Sequence, residues 1–228
     1  MTIGFHGRTA AAAGALAAAL VLAGCAGDEG GPGRGDRGPG AREAPAPLTP
    51  AEVKAVLPQA FTVPGWKVTD SMVLDMSGKS AGRACAGGKP GECAPARGVG
   101  TVVLAKEGEG RMTFSVFAHH SAGAASDAYP FLWKEASGAW FGQPERASVG
   151  AAGDRRDALR GEYETGYGST IQIRVGPTLL SVKAETPGTR PRRTDAELTA
   201  LAAMFAGRAR QAHSGELPSA VVRGDVLK

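Results

Sequence analysis

An apolar run from Ala10 to Ala23 stands near the start of the chain, behind a short stretch carrying His6 and Arg8. It limits where the rest can fold. A charged start, an apolar middle and the small residues Ala23-Gly24 at its end describe a secretory signal peptide. A spanning helix needs about 20 apolar residues. This run is shorter, and Asp28 and Glu29 follow it closely. The sequence shows no second long apolar run, so the mature chain is expected to fold outside the cytoplasm with no transmembrane helix of its own.

Cys25 sits directly behind Leu22-Ala23-Gly24. This stretch resembles the lipobox of bacterial lipoproteins. The resemblance implies that residues 1–24 are removed, that the Cys25 thiol takes a diacylglycerol, and that the protein partners the membrane through this lipid. Each buried methylene contributes about 0.8 kcal/mol, so two acyl chains anchor durably. The competing reading is a secreted protein with a chance cysteine at this place.

Residues 26–47 are rich in Gly, Pro, Ala and mixed charge, with almost nothing to bury. Ordering them would cost more entropy than burial could return, so residues 25–47 read as a lipidated cysteine and flexible tether. The tripeptide Arg34-Gly35-Asp36 is ordinary tether composition.

With Cys25 assigned to the lipid, Cys85 and Cys93 remain. An even pair in an oxidising compartment is expected to bridge. A loop this small contributes roughly 2.5 kcal/mol on the chain-entropy model. Zinc shared with His119 and His120 is the rival. The cysteine spacing is not that of a zinc knuckle, and adjacent residues of a strand point to opposite faces. No metal and no cofactor are expected. The net charge is +4, with Asp and Glu mixed among Lys and Arg; a nucleic-acid binder would concentrate its basic residues.

The folded domain is expected over residues 48–213. Thr49-Pro50-Ala51-Glu52 opens a helix with a capping box. Thr194-Asp195-Ala196-Glu197 opens another, where Leu198, Leu201, Ala202 and Phe205 form one stripe. A middle helix is expected over Ala122–Ser137, with Tyr129, Leu132 and Trp133 on its buried side and Pro130 kinking or splitting it. Alternation predicts strands through Val68, Met72, Leu74 and Met76, along Thr101–Lys106, and through Met112, Phe114, Val116 and Ala118. Three more run along Leu159–Glu164, through Ile171, Ile173 and Val175, and along Leu179–Ala184, after a Gly176-Pro177 turn.

The order is helix, three strands, helix, three strands, helix. It predicts an α+β sandwich: an antiparallel sheet of about six strands, in two three-stranded meanders, with helices packed on one face. Ser115-Val116-Phe117-Ala118 and Ser181-Val182-Lys183-Ala184 end the two third strands, as an old duplication would leave them. Polar residues along one strand face imply that this face is wet. Residues 214–228 carry few apolar residues at any period and read as a loose tail.

Four features carry a family resemblance. They are the Cys25 lipobox with its tether, Leu48-Thr49-Pro50-Ala51-Glu52 opening the domain, the strand pair Ile171–Gly176 and Leu179–Ala184, and the closing helix around Ala200–Ala206. Together the chain resembles actinobacterial lipoproteins and receptor ectodomains of the PknH-like extracellular sensor type. The resemblance implies a cleft-bearing, non-catalytic domain that binds an extracellular ligand. That family carries two disulfides, whereas this mature domain has cysteines for one.

Three groups are candidates for function. Tyr129, Phe131, Trp133, Trp140 and Phe141 form the densest aromatic cluster, able to line an apolar pocket for a small molecule such as a lipid or a sugar face or to serve as core beneath the helix. Arg190, Arg192 and Arg193 precede the last helix and can hold an anion there or simply solvate a loop. His119 or His120 can act as a general base. The sequence has no Gly-x-Ser-x-Gly elbow and no spare cysteine nucleophile. The expectation is therefore a non-catalytic binding or sensing domain, with an envelope hydrolase or a structural lipoprotein that binds another protein as alternatives.

Overall fold

The computed structural model describes residues 45–76, 96–138, 141–163, 166–188 and 192–227, with the side chains of 141–143 excepted. The chain divides into Met1–Arg42 and Glu43–Lys228, and the first of these lies outside the described residues. The expected lipid site Cys25 and disulfide pair Cys85 and Cys93 also lie outside them.

Both capping boxes form as the sequence predicts. Helix α1 (Pro50–Val56) starts where Glu52 N donates to Thr49 Oγ1 at 3.3 Å and Thr49 N donates to Glu52 Oε2 at 2.7 Å. Helix α3 (Asp195–His213) repeats this with Thr194 and Glu197 at 3.3 and 2.7 Å. Each box satisfies amides that a helix start otherwise leaves bare. Helix α2 (Ala122–Ser137) begins where Ala124 N donates to Ser121 Oγ at 3.1 Å. Pro130 lies inside α2 without splitting it.

The strands are β1 (Lys67–Asp75), β2 (Gly98–Lys106), β3 (Gly110–Ala118), β4 (Phe141–Arg146), β5 (Arg155–Tyr163), β6 (Gly166–Val175) and β7 (Thr178–Pro187). They form one antiparallel sheet in the order β1-β2-β3-β7-β6-β5-β4. Two three-stranded meanders, β1–β3 and β5–β7, meet along β3 and β7. At that seam Ser115 pairs directly with Ser181. The seventh strand, β4, was not expected. Gly142 and Pro144 interrupt its pattern, and its pairing with β5 shifts register between Phe141 and Glu145.

The helices do not share one face. Val102, Leu104, Met112, Phe114, Val116, Ile171, Ile173, Leu180 and Val182 point to one side and pack against α1 and α3. Phe114 meets Phe205 edge-on, with ring centroids 5.3 Å apart. Gly100 lets α1 approach closely: a Cβ there would come within 2.6 Å of Val53. The intervening residues Phe117 and Leu179 point the other way, against Ala125, Ala128, Tyr129 and Leu132 of α2. The reason lies in the connection. Chain leaving β3, mid-sheet, must reach β4 at the far edge, and in the finished fold α1 and α3 cover the first face.

At the opposite edge, β1 has the expected alternation without the expected burial. Met72 and Leu74 are 48% and 43% exposed, because α2 does not extend over them; Val73, pointing the other way, packs on the main core.

The tail is not loose. Val222 is buried and its N–H donates to Thr62 O at 2.9 Å. Gln211 Oε1 accepts from the amides of Ser219 and Ala220 at 2.9 and 3.1 Å. Side-chain bonds from α3 supply the order that apolar periodicity lacked. Among the described residues, no helix is long and apolar enough to cross a membrane.

Candidate functional site

Helix α2 rests on the second face like a bar across an open hand and is fastened at one point. The buried Tyr129 hydroxyl shares its one proton between Asp157 Oδ2 at 3.0 Å and Gln172 O at 3.1 Å, and Gln172 Nε2 donates back to Tyr129 O at 2.7 Å. Arg155 stacks on the Tyr129 ring at 4.1 Å. Burial, followed by the Asp157 charge, holds the Tyr129 hydroxyl far above the usual phenol range, so it is a fixed donor.

On one flank of this bar lies a groove of about 370 Å³. Its floor is the polar side of the central strands: Thr113 and Ser115 from β3, Thr170 from β6 and Ser181 from β7. Its walls are apolar, with Phe117 below and Leu132 and Ala136 from α2 above. Thr101 Oγ1 and Ser115 Oγ lie 3.3 Å apart beneath it. Lys183 closes one end, bonded to the Tyr163 hydroxyl and 3.0 Å from Glu185. Burial pulls the Lys183 pKa down, but its bonds to Tyr163 and Glu185 outweigh this and the pKa is raised. Lys183 therefore presents a lasting positive charge, and Glu135 supplies a carboxylate on the helix side.

On the other flank lies a second recess of about 370 Å³, between the end of α2, β5 and the segment joining β4 to β5. Trp133 and Arg146 are among its lining residues.

These surroundings divide the aromatic cluster. Tyr129 is core, Phe131 is partly buried on α2, and Trp133 lines the second recess. Trp140 and the Phe141 side chain lie outside the described residues. The arginine cluster does not converge. Arg190 lies outside the described residues. Arg192 pairs with Glu145 at 3.2 Å and Glu162 at 3.5 Å and covers the Tyr167 ring. Arg193 is buried against Trp66 and 3.6 Å from Glu197. Both described guanidinium groups thus serve carboxylates of the fold and not a shared anion. His119 is 2% exposed and His120 is exposed; neither lines the groove or the recess.

The groove's floor was visible in the sequence only as the alternation of Thr113 and Ser115 with apolar neighbours. That pattern correctly marks a face away from the main core. It cannot show that a helix crosses the face and turns a wet surface into a groove.

No family model matches this chain, and no curated protein does. Among solved structures, the extracellular domain of PknH from Mycobacterium tuberculosis is similar in chain path, with a TM-score of 0.47 and 10% identity, over 75% of this chain and 100% of that one.

Proposed function

We propose that the protein is a lipid-anchored, extracytoplasmic binding domain that holds a small amphiphilic ligand in the groove between α2 and the sheet. One observation carries this reading: apolar walls of Phe117, Leu132 and Ala136 stand over a hydroxyl floor of Thr113, Ser115 and Ser181. Ligand sites combine apolar surface with a few placed polar groups in this way. An apolar body would lie against the walls and a polar end would reach Lys183 or the hydroxyls. The proposed work is binding, not turnover. The anchor and compartment rest on the Leu22–Cys25 sequence, and a Cys85–Cys93 bridge belongs to the same picture.

Native mass spectrometry of the protein released gently from its own membranes tests the groove. The expected result is a retained small molecule that Ser115→Phe, which fills the floor, expels while the urea midpoint stays unchanged. Equal retention by wild type and variant would place the ligand elsewhere. A wild-type protein that retains nothing would overturn the reading.

A further inference from the structure

We infer that the ligand of the groove is an uncharged glycolipid, with its sugar on the hydroxyl floor and one hydrocarbon chain laid across the uncovered part of the sheet to the β1 edge. This rests on the groove reading above and adds the chemical class of the ligand.

The strand register gathers the floor. Thr113, Lys183 and Thr170 lie side by side on β3, β7 and β6, and Ser115, Ser181 and Gln172 form the next row on the same face. Four hydroxyls thus occupy neighbouring positions on three adjacent strands, and all four line the groove. A hydroxyl both donates and accepts, so this floor matches a second set of hydroxyls, such as a sugar presents. The charges in the lining do not select a charged head. The Lys183 ammonium is bonded to the Tyr163 hydroxyl and lies 3.0 Å from Glu185. Glu135, the other charge in the lining, has the opposite sign. An anion would face Glu135 and a cation would face Lys183, so neither sign is favoured.

The path for the chain lies in the same register. Phe117, a wall of the groove, pairs with Val99, and Val99 pairs with Leu74. One apolar row therefore leads out of the groove, with Met72 beside its end. Thr101 lies between Met72 and Ser115, and its hydroxyl is 3.3 Å from that of Ser115. This marks the border between floor and apolar row. Met72 and Leu74 are both exposed. The main core does not account for them, because Val73, pointing the other way, makes that contact. Among the described residues β1 has β2 on one side and no strand on the other. Edge strands ordinarily blunt such apolar surface with charge, and apolar surface contiguous with a groove marks a place for apolar matter. From Phe117 to Leu74 a chain crosses two inter-strand spacings, about 10 Å.

Isothermal titration of the full lipoprotein, held in an amphipathic polymer so that no detergent fills the groove, tests this. The probes are butyl, hexyl and octyl glucoside, octyl phosphate and octyltrimethylammonium, each as monomer. Glucoside affinity should rise about two- to fourfold for each added methylene. Both charged octyl probes should bind about tenfold more weakly than octyl glucoside, since a charge entering the groove loses water without gaining a free partner. Thr113→Val should weaken octyl glucoside about fivefold, as loss of one hydrogen bond does. Met72→Ser combined with Leu74→Ser should flatten the rise with chain length, with an unchanged urea midpoint showing that the fold is kept. The inference is overturned if no glucoside binds, if affinity is independent of chain length, if either charged probe binds as tightly as octyl glucoside, or if the double variant keeps the full rise. These outcomes leave the groove reading standing. Glucoside binding that Ser115→Phe does not reduce would instead place the site outside the groove and overturn both.

Discussion

Arg208 Nε donates to the Val56 carbonyl at 2.9 Å, tying the last helix to the end of the first. The same guanidinium donates through Nη2 to Ala55 O at 2.7 Å and Leu57 O at 3.4 Å, and through Nη1 to Ala220 O at 3.2 Å. It is 1% exposed. Burial lowers its pKa, yet arginine keeps its charge. The carbonyls at a helix C-terminus have no partners within the helix and carry partial negative charge. Arg208 therefore caps α1 from outside and fastens the tail with the same side chain.

Arg208→Met should leave those carbonyls buried and unpaired, at about 1–3 kcal/mol for each that finds no water. Urea unfolding should show a loss of about 2–4 kcal/mol. Arg208→Lys should fall between, since one ammonium cannot reach both sides. An unchanged midpoint in Arg208→Met would mean that the cap contributes nothing net.

His213, at the end of α3, gives the stability a pH dependence. Its Nε2 lies 3.1 Å from Thr178 Oγ1. Burial pushes its pKa below the ordinary 6.5, against opposing effects from the Ala46 and Val175 backbone and the Glu52 and Asp154 carboxylates. The unfolded chain then takes up this proton more readily than the folded one. The contribution is fully present above pH about 6.5 and is lost as pH falls below it toward the depressed folded value. Denaturant midpoints measured from about pH 7 down to about pH 5 should fall in wild type and fall less in His213→Gln. Parallel curves would remove His213 as the cause.

Tyr129→Phe deletes the hydroxyl that serves Asp157 and Gln172. A loss of about 1–3 kcal/mol is expected, read from thermal or urea melts. Spectrophotometric titration provides a second readout. Because the Tyr129 phenol resists ionisation, the tyrosinate signal of the folded protein near pH 11 should be the same in wild type and variant. A smaller signal in the variant would show that Tyr129 ionises normally.

Cys25→Ser should move the protein from the membrane pellet to the soluble fraction, since the lipid is the proposed attachment. Fractionation with a salt wash checks this. A variant that stays in the pellet through the wash would contradict the lipid anchor.

What the sequence shows depends on how local the cause is. Capping at Thr49 and Thr194 involves residues three apart, and both helix starts are readable. Strand alternation in β3, β6 and β7 is equally local. Strand β4 is harder, because Gly142 and Pro144 break the pattern that would announce it. The face on which α2 lands depends on which face α1 and α3 have filled, a decision made by distant chain. Arg208 reads as one more charge in a helix, and nothing near it in sequence announces the α1 carbonyls it meets.

The seam between β3 and β7 also joins parts of the chain that are far apart in sequence. In the finished sheet β3 is an interior strand, but only because β7 lies along it. Until β7 has been made, after α2, β4, β5 and β6, β3 presents a bare row of amides and carbonyls. The first meander thus completes the hydrogen bonding of β3 only through a long-range pairing, of the kind that slows folding. In the proposed export with the first residues leading, β3 would lack its β7 partner until nearly all of the chain had crossed.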